Sequence, residues 1–286
     1  MALNLIFMGT PDFAVPILQS IKFSEHKILC VYTQTPKKKN RGQKKGLTPI
    51  HEFSKQNNLN VRHPEKLDTE EEIEFFKKEK PDVVVVVAYG KILPKRLLNI
   101  KNIQFINVHA SLLPKWRGAA PIQRAIMNLD KETGISIMKI IPKLDAGPIM
   151  MKSKIKISEN ANYEIISKEL SYLGAKMIKE SLNLIEQNKT EFIKQDEKFA
   201  SYAKKIEKSE YKKEPFSHIY IEDFFTEEDF RKITSSKEIN LKESIDDEDL
   251  FNRLFDNHYR IVNFPGCVTN KSDYIKWHKN EESIDT

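Results

Sequence analysis

The residues best suited to chemistry stand in the run Asn107-Val108-His109-Ala110-Ser111-Leu112-Leu113-Pro114. In an extended chain alternate side chains share a face, so Asn107 and His109 project together where a strand gives way to a loop. An imidazole exchanges protons near neutral pH, and an asparagine amide donates a hydrogen bond to an oxygen that turns negative. Those are the two needs of acyl-type transfer. Taken alone, Asn-x-His also describes a histidine that satisfies backbone groups in a loop. A further candidate is Asp145, in the tight acidic turn Leu144-Asp145-Ala146-Gly147-Pro148. Its carboxylate would orient an imidazole, or close an Asx-turn on its own backbone. No Gly-x-Ser-x-Gly, activated-cysteine motif or His-Glu-x-x-His occurs, so covalent nucleophilic catalysis and zinc hydrolysis lack their usual signatures. Direct transfer between two bound substrates fits these residues better.

Such side chains need elements to hold them. Apolar runs at 3–8, 28–32, 83–88 and 103–108 are short, rich in β-branched and aromatic residues and bounded by turn residues, which predicts buried strands. Amphipathic segments near 13–22, 48–57, 70–79 and 92–99 predict helices between them, and Thr69 followed by Glu70, Glu71 and Glu72 supplies a cap and acidic residues at a helix start. Alternating strand and helix predict an α/β fold: an open, mostly parallel Rossmann-like sheet with right-handed crossovers and helices on both faces. Ligands bind such sheets beyond the strands' carboxyl ends. A helix near 119–128, strands at 135–140 and 150–157 and a long helix over 162–187 complete a domain of residues 1–190. Residues 191–213 read as a lysine-rich linker with a short strand at 200–203. From Glu214 the pattern restarts as a strand at 218–221 and a helix at 226–234.

The 286 residues leave ample length for a core. The apolar run from Val83 to Ala88 falls far short of the roughly 20 residues that cross a bilayer, which argues against an integral membrane protein. The start Met-Ala-Leu-Asn-Leu-Ile-Phe-Met-Gly-Thr reads as a first strand and not a secretion signal. Two cysteines, Cys30 and Cys267, make neither a disulfide framework nor a closed metal site, so a cytoplasmic, metal-free protein is expected. Charge is unevenly spread. Residues 1–213 hold 38 basic and 24 acidic side chains, a net of +14, whereas 214–286 hold 9 and 17, a net of −8. A basic first part suits a polyanion such as RNA, although a lysine excess also makes an ordinary solvated surface.

Four runs in order, Gly9-Thr10-Pro11-Asp12-Phe13-Ala14-Val15-Pro16, the Asn107 to Pro114 run, Arg117-Gly118-Ala119-Ala120-Pro121-Ile122-Gln123-Arg124-Ala125-Ile126 and Asp145-Ala146-Gly147, resemble the methionyl-tRNA formyltransferases over about residues 1–207. That resemblance implies transfer of a formyl group from formyl-tetrahydrofolate to the amine of initiator methionyl-tRNA, with Asn107, His109 and Asp145 as the catalytic set. It implies that Val87, Ala88, Tyr89, Gly90 and Ile92, with Ser111, Leu112, Leu113 and Pro114, line the folate pocket. The stretch after the second strand, Lys37, Lys38, Lys39, Arg41, Lys44 and Lys45, contains no acidic residue and matches a basic insertion that grips the tRNA acceptor arm. A monomer without a metal is implied.

The resemblance stops after Ala200-Ser201-Tyr202-Ala203-Lys204-Lys205-Ile206. The family continues into a β-barrel that adds tRNA contacts, whereas 214–286 here is acidic and of unassigned role. Its opening, Pro215 to Phe225, faintly resembles iron- and oxoglutarate-dependent oxygenases, but 214–286 has no His-x-Asp or His-x-Glu, and His218, His258 and His278 read as surface or packing residues. Two other readings remain open: a formyltransferase acting on a sugar-nucleotide amine, which needs no barrel, and an inactive folate- or RNA-binding remnant.

Overall fold

The computed structural model describes residues 2–38, 45–158, 161–206, 211–212 and 218–219. The chain runs through β1 (Asn4–Gly9), α1 (Val15–Lys22), β2 (Lys27–Tyr32), β3 (Lys37–Lys38), β4 (Lys45–Gly46), α2 (Pro49–Gln56), β5 (Val61–Arg62), α3 (Glu70–Glu79) and β6 (Val83–Val87). It continues through α4 (Lys95–Leu98), β7 (Gln104–His109), β8 (Arg117–Gly118), α5 (Pro121–Met127), β9 (Glu132–Lys139), β10 (Ile149–Lys156), α6 (Tyr163–Glu186) and β11 (Tyr202–Ala203). Two compact units divide it, Met1–Lys205 and Ile206–Thr286.

The first unit is built on a seven-stranded sheet in the order β10-β9-β7-β6-β1-β2-β5. β5, β2, β1, β6 and β7 are parallel, and β9 and β10 are added antiparallel at one edge. The mostly parallel sheet expected from the alternating pattern is therefore what forms. Its central strands are buried on both sides and sort their side chains by parity. Leu5, Phe7, Val83, Val85, Val87, Ile106 and Val108 face α1, α2 and α6, whereas Ile6, Met8, Val84, Val86 and Phe105 face α3 and α4. Thr48, Thr69 and Asn162 each accept a backbone N–H at the start of α2, α3 and α6, so those helices begin where a cap stands. Ser171 Oγ and Ser20 Oγ donate to the carbonyls of Phe13 and Ala175 and tie α6 to the start of the chain.

Two expectations need correction, and one stretch left without an assigned structure gains one. The helix read over 92–99 shrinks to Lys95–Leu98, because Pro94 disfavours helical geometry in the residue before it, and Ala88 and Gly90 hold positive φ. Residues 191–205, read as linker, belong to the first unit. Ile193 bridges Ile149, and β11 pairs in parallel with β8 through Tyr202–Arg117 and Ala203–Gly118. The basic stretch is in part a hairpin, Lys37 opposite Gly46 and Lys38 opposite Lys45.

In the second unit the described residues beyond Ile206 are two short antiparallel strands, β12 (Tyr211–Lys212) and β13 (His218–Ile219). The helix expected over 226–234, together with His258 and His278, lies outside the described residues. Among the described residues no helix is long and apolar enough to cross a membrane.

Candidate active site at the carboxyl ends of β1, β6 and β7

The chain passes from β1 outward to β2 and β5, then returns to the other side of β1 as β6. The crevice this reversal opens beyond the strand ends is where open α/β sheets take their ligands. A cavity of about 640 Å³ lies there, walled by Pro11 and Phe13 after β1, by residues 88–93 after β6 and by Asn107 to His109 of β7 with Ala110 just beyond it. Gly118, Ala119, Ile122 and Gln123 close one side, and Met138, Ile140 to Pro142, Leu144, Asp145 and Tyr163 another. The size and predominantly apolar wall suit a drug-sized heterocycle.

The sequence-predicted trio converges on this cavity. Asn107 and His109 share one face of β7, as strand parity requires, and the turn after β9 brings Asp145 alongside. The Asn107 side chain has no hydrogen-bond partner among the described residues, which leaves its amide for a ligand. His109 is buried, with Nε2 2.9 Å from the Trp116 carbonyl and Nδ1 3.8 Å from Asp145 Oδ2. A carbonyl only accepts, so Nε2 carries the proton of the neutral ring and Nδ1 keeps its lone pair beside the carboxylate. Asp145 sits in the left-handed region, φ +43°, and its Oδ2 accepts from the Gly118 N–H at 2.8 Å.

The loop after β6 is pinned rather than loose. Thr10 Oγ1 and Gln34 Nε2 both donate to the Tyr89 carbonyl, and Lys91 Nζ donates to the carbonyls of Pro64 and Glu65. Burial pushes the Tyr89 phenol well above its ordinary range and keeps it neutral.

Of the pocket residues expected from sequence, Ala88, Tyr89, Gly90 and Ile92 line the cavity, but Val87, Ser111, Leu112, Leu113 and Pro114 do not. Val87 points into the core under α1 and α6. Past Ala110 the chain turns under β9. Ser111 Oγ donates to the Lys115 carbonyl, Ser136 Oγ donates to the Ser111 carbonyl, Leu113 packs on Met138 and Ile149, and Leu112 lies over Gly134. Lys37, Lys38 and Lys45 lie on the backbone of the β3–β4 hairpin, whereas Lys39, Arg41 and Lys44 lie outside the described residues. Among the described residues no group of three or more His, Cys, Asp or Glu is placed to hold a metal ion.

Sequence reasoning missed the support beneath the trio. Arg117 has no exposed surface, and its guanidinium is forked onto Glu197 at 3.0 Å and onto Gln195 Oε1 at 2.9–3.0 Å. Trp116, at φ +60°, is fixed by Ser201 Oγ accepting from its backbone N–H and by Asp130 accepting from its indole. Nothing in the lysine-rich stretch 188–205 marked Gln195, Glu197 and Ser201 as those partners.

A histidine, an amide and a carboxylate that converge on one cavity are groups that acyl-type transfer can use. Residues 3–182 match the formyl transferase family, and the chain belongs to it. Within that family the chain is 53% identical over 211 residues to the methionyl-tRNA formyltransferase of Pelagibacter ubique, covering 73% of this chain and 68% of that one. It is 47% identical over 210 residues to the methionyl-tRNA formyltransferase of Coxiella burnetii, covering 73% and 67%. Among solved structures it resembles an N-formyltransferase from Helicobacter canadensis in complex with folinic acid and dTDP-3-aminofucose, with TM-score 0.54, 20% identity and 71% of each chain covered. That likeness speaks to the fold.

Proposed function

We propose that the chain transfers a formyl group from formyl-tetrahydrofolate to the amino group of initiator methionyl-tRNA, acting as a cytoplasmic monomer. The observation that carries this reading is the convergence of Asn107, His109 and Asp145 on one cavity, in a chain whose relatives at 44–53% identity are methionyl-tRNA formyltransferases. The largely apolar wall formed by the pinned loop 88–92 with Ile140, Ile141, Pro142 and Leu144 supports a place for the donor's pterin ring there. What the donor supplies is a formyl carbon already activated toward an amine.

The chain's own residues do the rest. The Asn107 amide, unpartnered among the described residues, donates to the formyl oxygen as negative charge develops on it. His109 Nδ1 takes the proton that the amine sheds as its nitrogen bonds to the formyl carbon, and returns it to the folate nitrogen as the bond from the formyl carbon to that nitrogen breaks, so tetrahydrofolate leaves neutral. The Asp145 carboxylate stabilises the imidazolium and orders water beside it, while the Trp116 carbonyl keeps the ring from turning. Lys37, Lys38 and Lys45 with Lys39, Arg41 and Lys44 supply positive charge for the acceptor arm.

The test is a transfer assay on the purified full chain with formyl-tetrahydrofolate and three acceptors: initiator methionyl-tRNA, an amino-sugar nucleotide and free methionine. Formylation of methionyl-tRNA alone is the expected result. Turnover of the amino-sugar nucleotide would reassign the acceptor, and absence of turnover with all three would reject the enzyme.

A further inference from the structure

The trio is held by a segment that sequence reads as a connector. Gln195 lies on it and reaches both halves of the site with one side-chain amide. Its Nε2 donates to the carbonyls of Asp145 at 2.9 Å and Gly147 at 2.7 Å. Its Oε1 accepts from Arg117 Nε at 3.0 Å and Nη2 at 2.9 Å. A glutamine amide has two N–H groups and two lone pairs, and all four are engaged. The orientation is therefore fixed, because a flipped amide would set its oxygen against two carbonyls and its N–H groups against a guanidinium.

We propose that Gln195 is a positioning residue for the reaction proposed above, setting where Asp145 and His109 stand relative to each other. On one side it holds the 145–147 turn, where Asp145 is left-handed and Gly147 has no room for a side chain, an added Cβ falling 1.7 Å from the Lys139 carbonyl. On the other it seats Arg117, a buried cation whose flanking residues each touch the site: Trp116 through its carbonyl to His109 Nε2, Gly118 through its N–H to Asp145 Oδ2. One amide thus fixes both ends of the 3.8 Å gap between imidazole and carboxylate. A displacement of about 1 Å in such a gap costs on the order of 10²-fold in rate.

The inference rests on the formyl-transfer reading, and the experiment separates the two. Full-length Gln195→Ala and Gln195→Glu are compared with the parent by kcat and KM for donor and acceptor, and by the ¹⁵N signals of His109, which report which ring nitrogen bears the proton. Glutamate keeps two acceptor oxygens for Arg117 but has no N–H for the Asp145 and Gly147 carbonyls, so it retains the Arg117 pairing and tests the turn alone. In both variants kcat is expected to fall about 10- to 100-fold, with each KM within about twofold and the Nε2-protonated signature of His109 replaced by a mixed one. Parent-like kcat and a parent-like His109 signature in Gln195→Glu would overturn the proposal. Should Gln195→Ala fail to fold, the glutamate variant carries the test. Were the parent itself inactive, the enzymatic reading would fall while the His109 signature still decided the role of Gln195.

Discussion

At the scale of single residues, the proposed reaction divides the site into groups that would touch it and groups that would hold them. Asn107 is the first kind, and truncating it to alanine should lower kcat by about 10²–10³ with the melting temperature unchanged, since removing one oxyanion donor costs that much. Single-turnover kinetics beside a thermal melt would check it. Asp145→Asn keeps the shape of the side chain but removes the charge facing His109 Nδ1, so the chemical step should slow while donor affinity, read by titration with folinic acid, holds. Glu197 is the second kind. The Arg117 guanidinium, then Lys143, hold its carboxyl down at about 2. A carboxylate whose folded value is depressed adds stability above its unfolded range and loses it as pH falls toward the folded value. Glu197→Gln should therefore flatten the loss of stability between about pH 5 and 2, modestly, because the carboxylate is half exposed. Urea melts across that range would show it.

At the scale of elements, what was legible followed a period and what was not followed non-local packing. The central strands announced themselves as apolar runs, and Asn107 and His109 could be placed on one face because strand parity is fixed by geometry. The fate of Ser111 to Pro114 was not legible, since a chain leaving a strand end can turn toward the crevice or under β9, and buried hydrogen bonds with Ser136 and Lys115 decide it. The pairing of β8 with β11 is likewise between segments far apart in the chain. It depends on Gly118, at φ +117° with the Ala203 carbonyl 2.8 Å from any added Cβ. Gly118→Ala should cost about 1–3 kcal/mol in a denaturant melt and lower kcat as well, because the Gly118 N–H holds Asp145. In α2, burial first, then His63 and Lys55, lower the His51 pKa, its ring stacked on His63 at 5.6 Å. A histidine disfavoured as a cation in the fold leaves stability intact above the ordinary histidine range and erodes it below. His51→Phe should lessen the fall in melting temperature between about pH 7 and 5.

At the scale of the whole chain, two charge regimes share one polypeptide, net +14 before residue 214 and −8 after it. Replacing Lys37, Lys38 and Lys45 by alanine should weaken methionyl-tRNA binding and flatten its dependence on salt, by roughly 0.7–0.9 in log–log slope for each phosphate left unneutralised, with donor affinity unchanged. Binding isotherms at several salt concentrations would measure it. An unaltered slope would return those lysines to ordinary solvated surface.

The packing of residues 193–205 against the site also bears on the order in which the molecule is made. A ribosome delivers the chain from its amino end, and domains generally fold as they emerge. The sheet and α6 are complete by Glu186, but Gln195, Glu197 and Ser201, which anchor Arg117, Trp116 and the 145–147 turn, and Ala203, which pairs with Gly118, emerge only after them. A nascent chain that has released only the sheet carries Asn107, His109 and Asp145 without the hydrogen bonds that align them. On the proposed reading, alignment of the three side chains therefore waits for the stretch from Gln195 to Ala203, which acts as a latch.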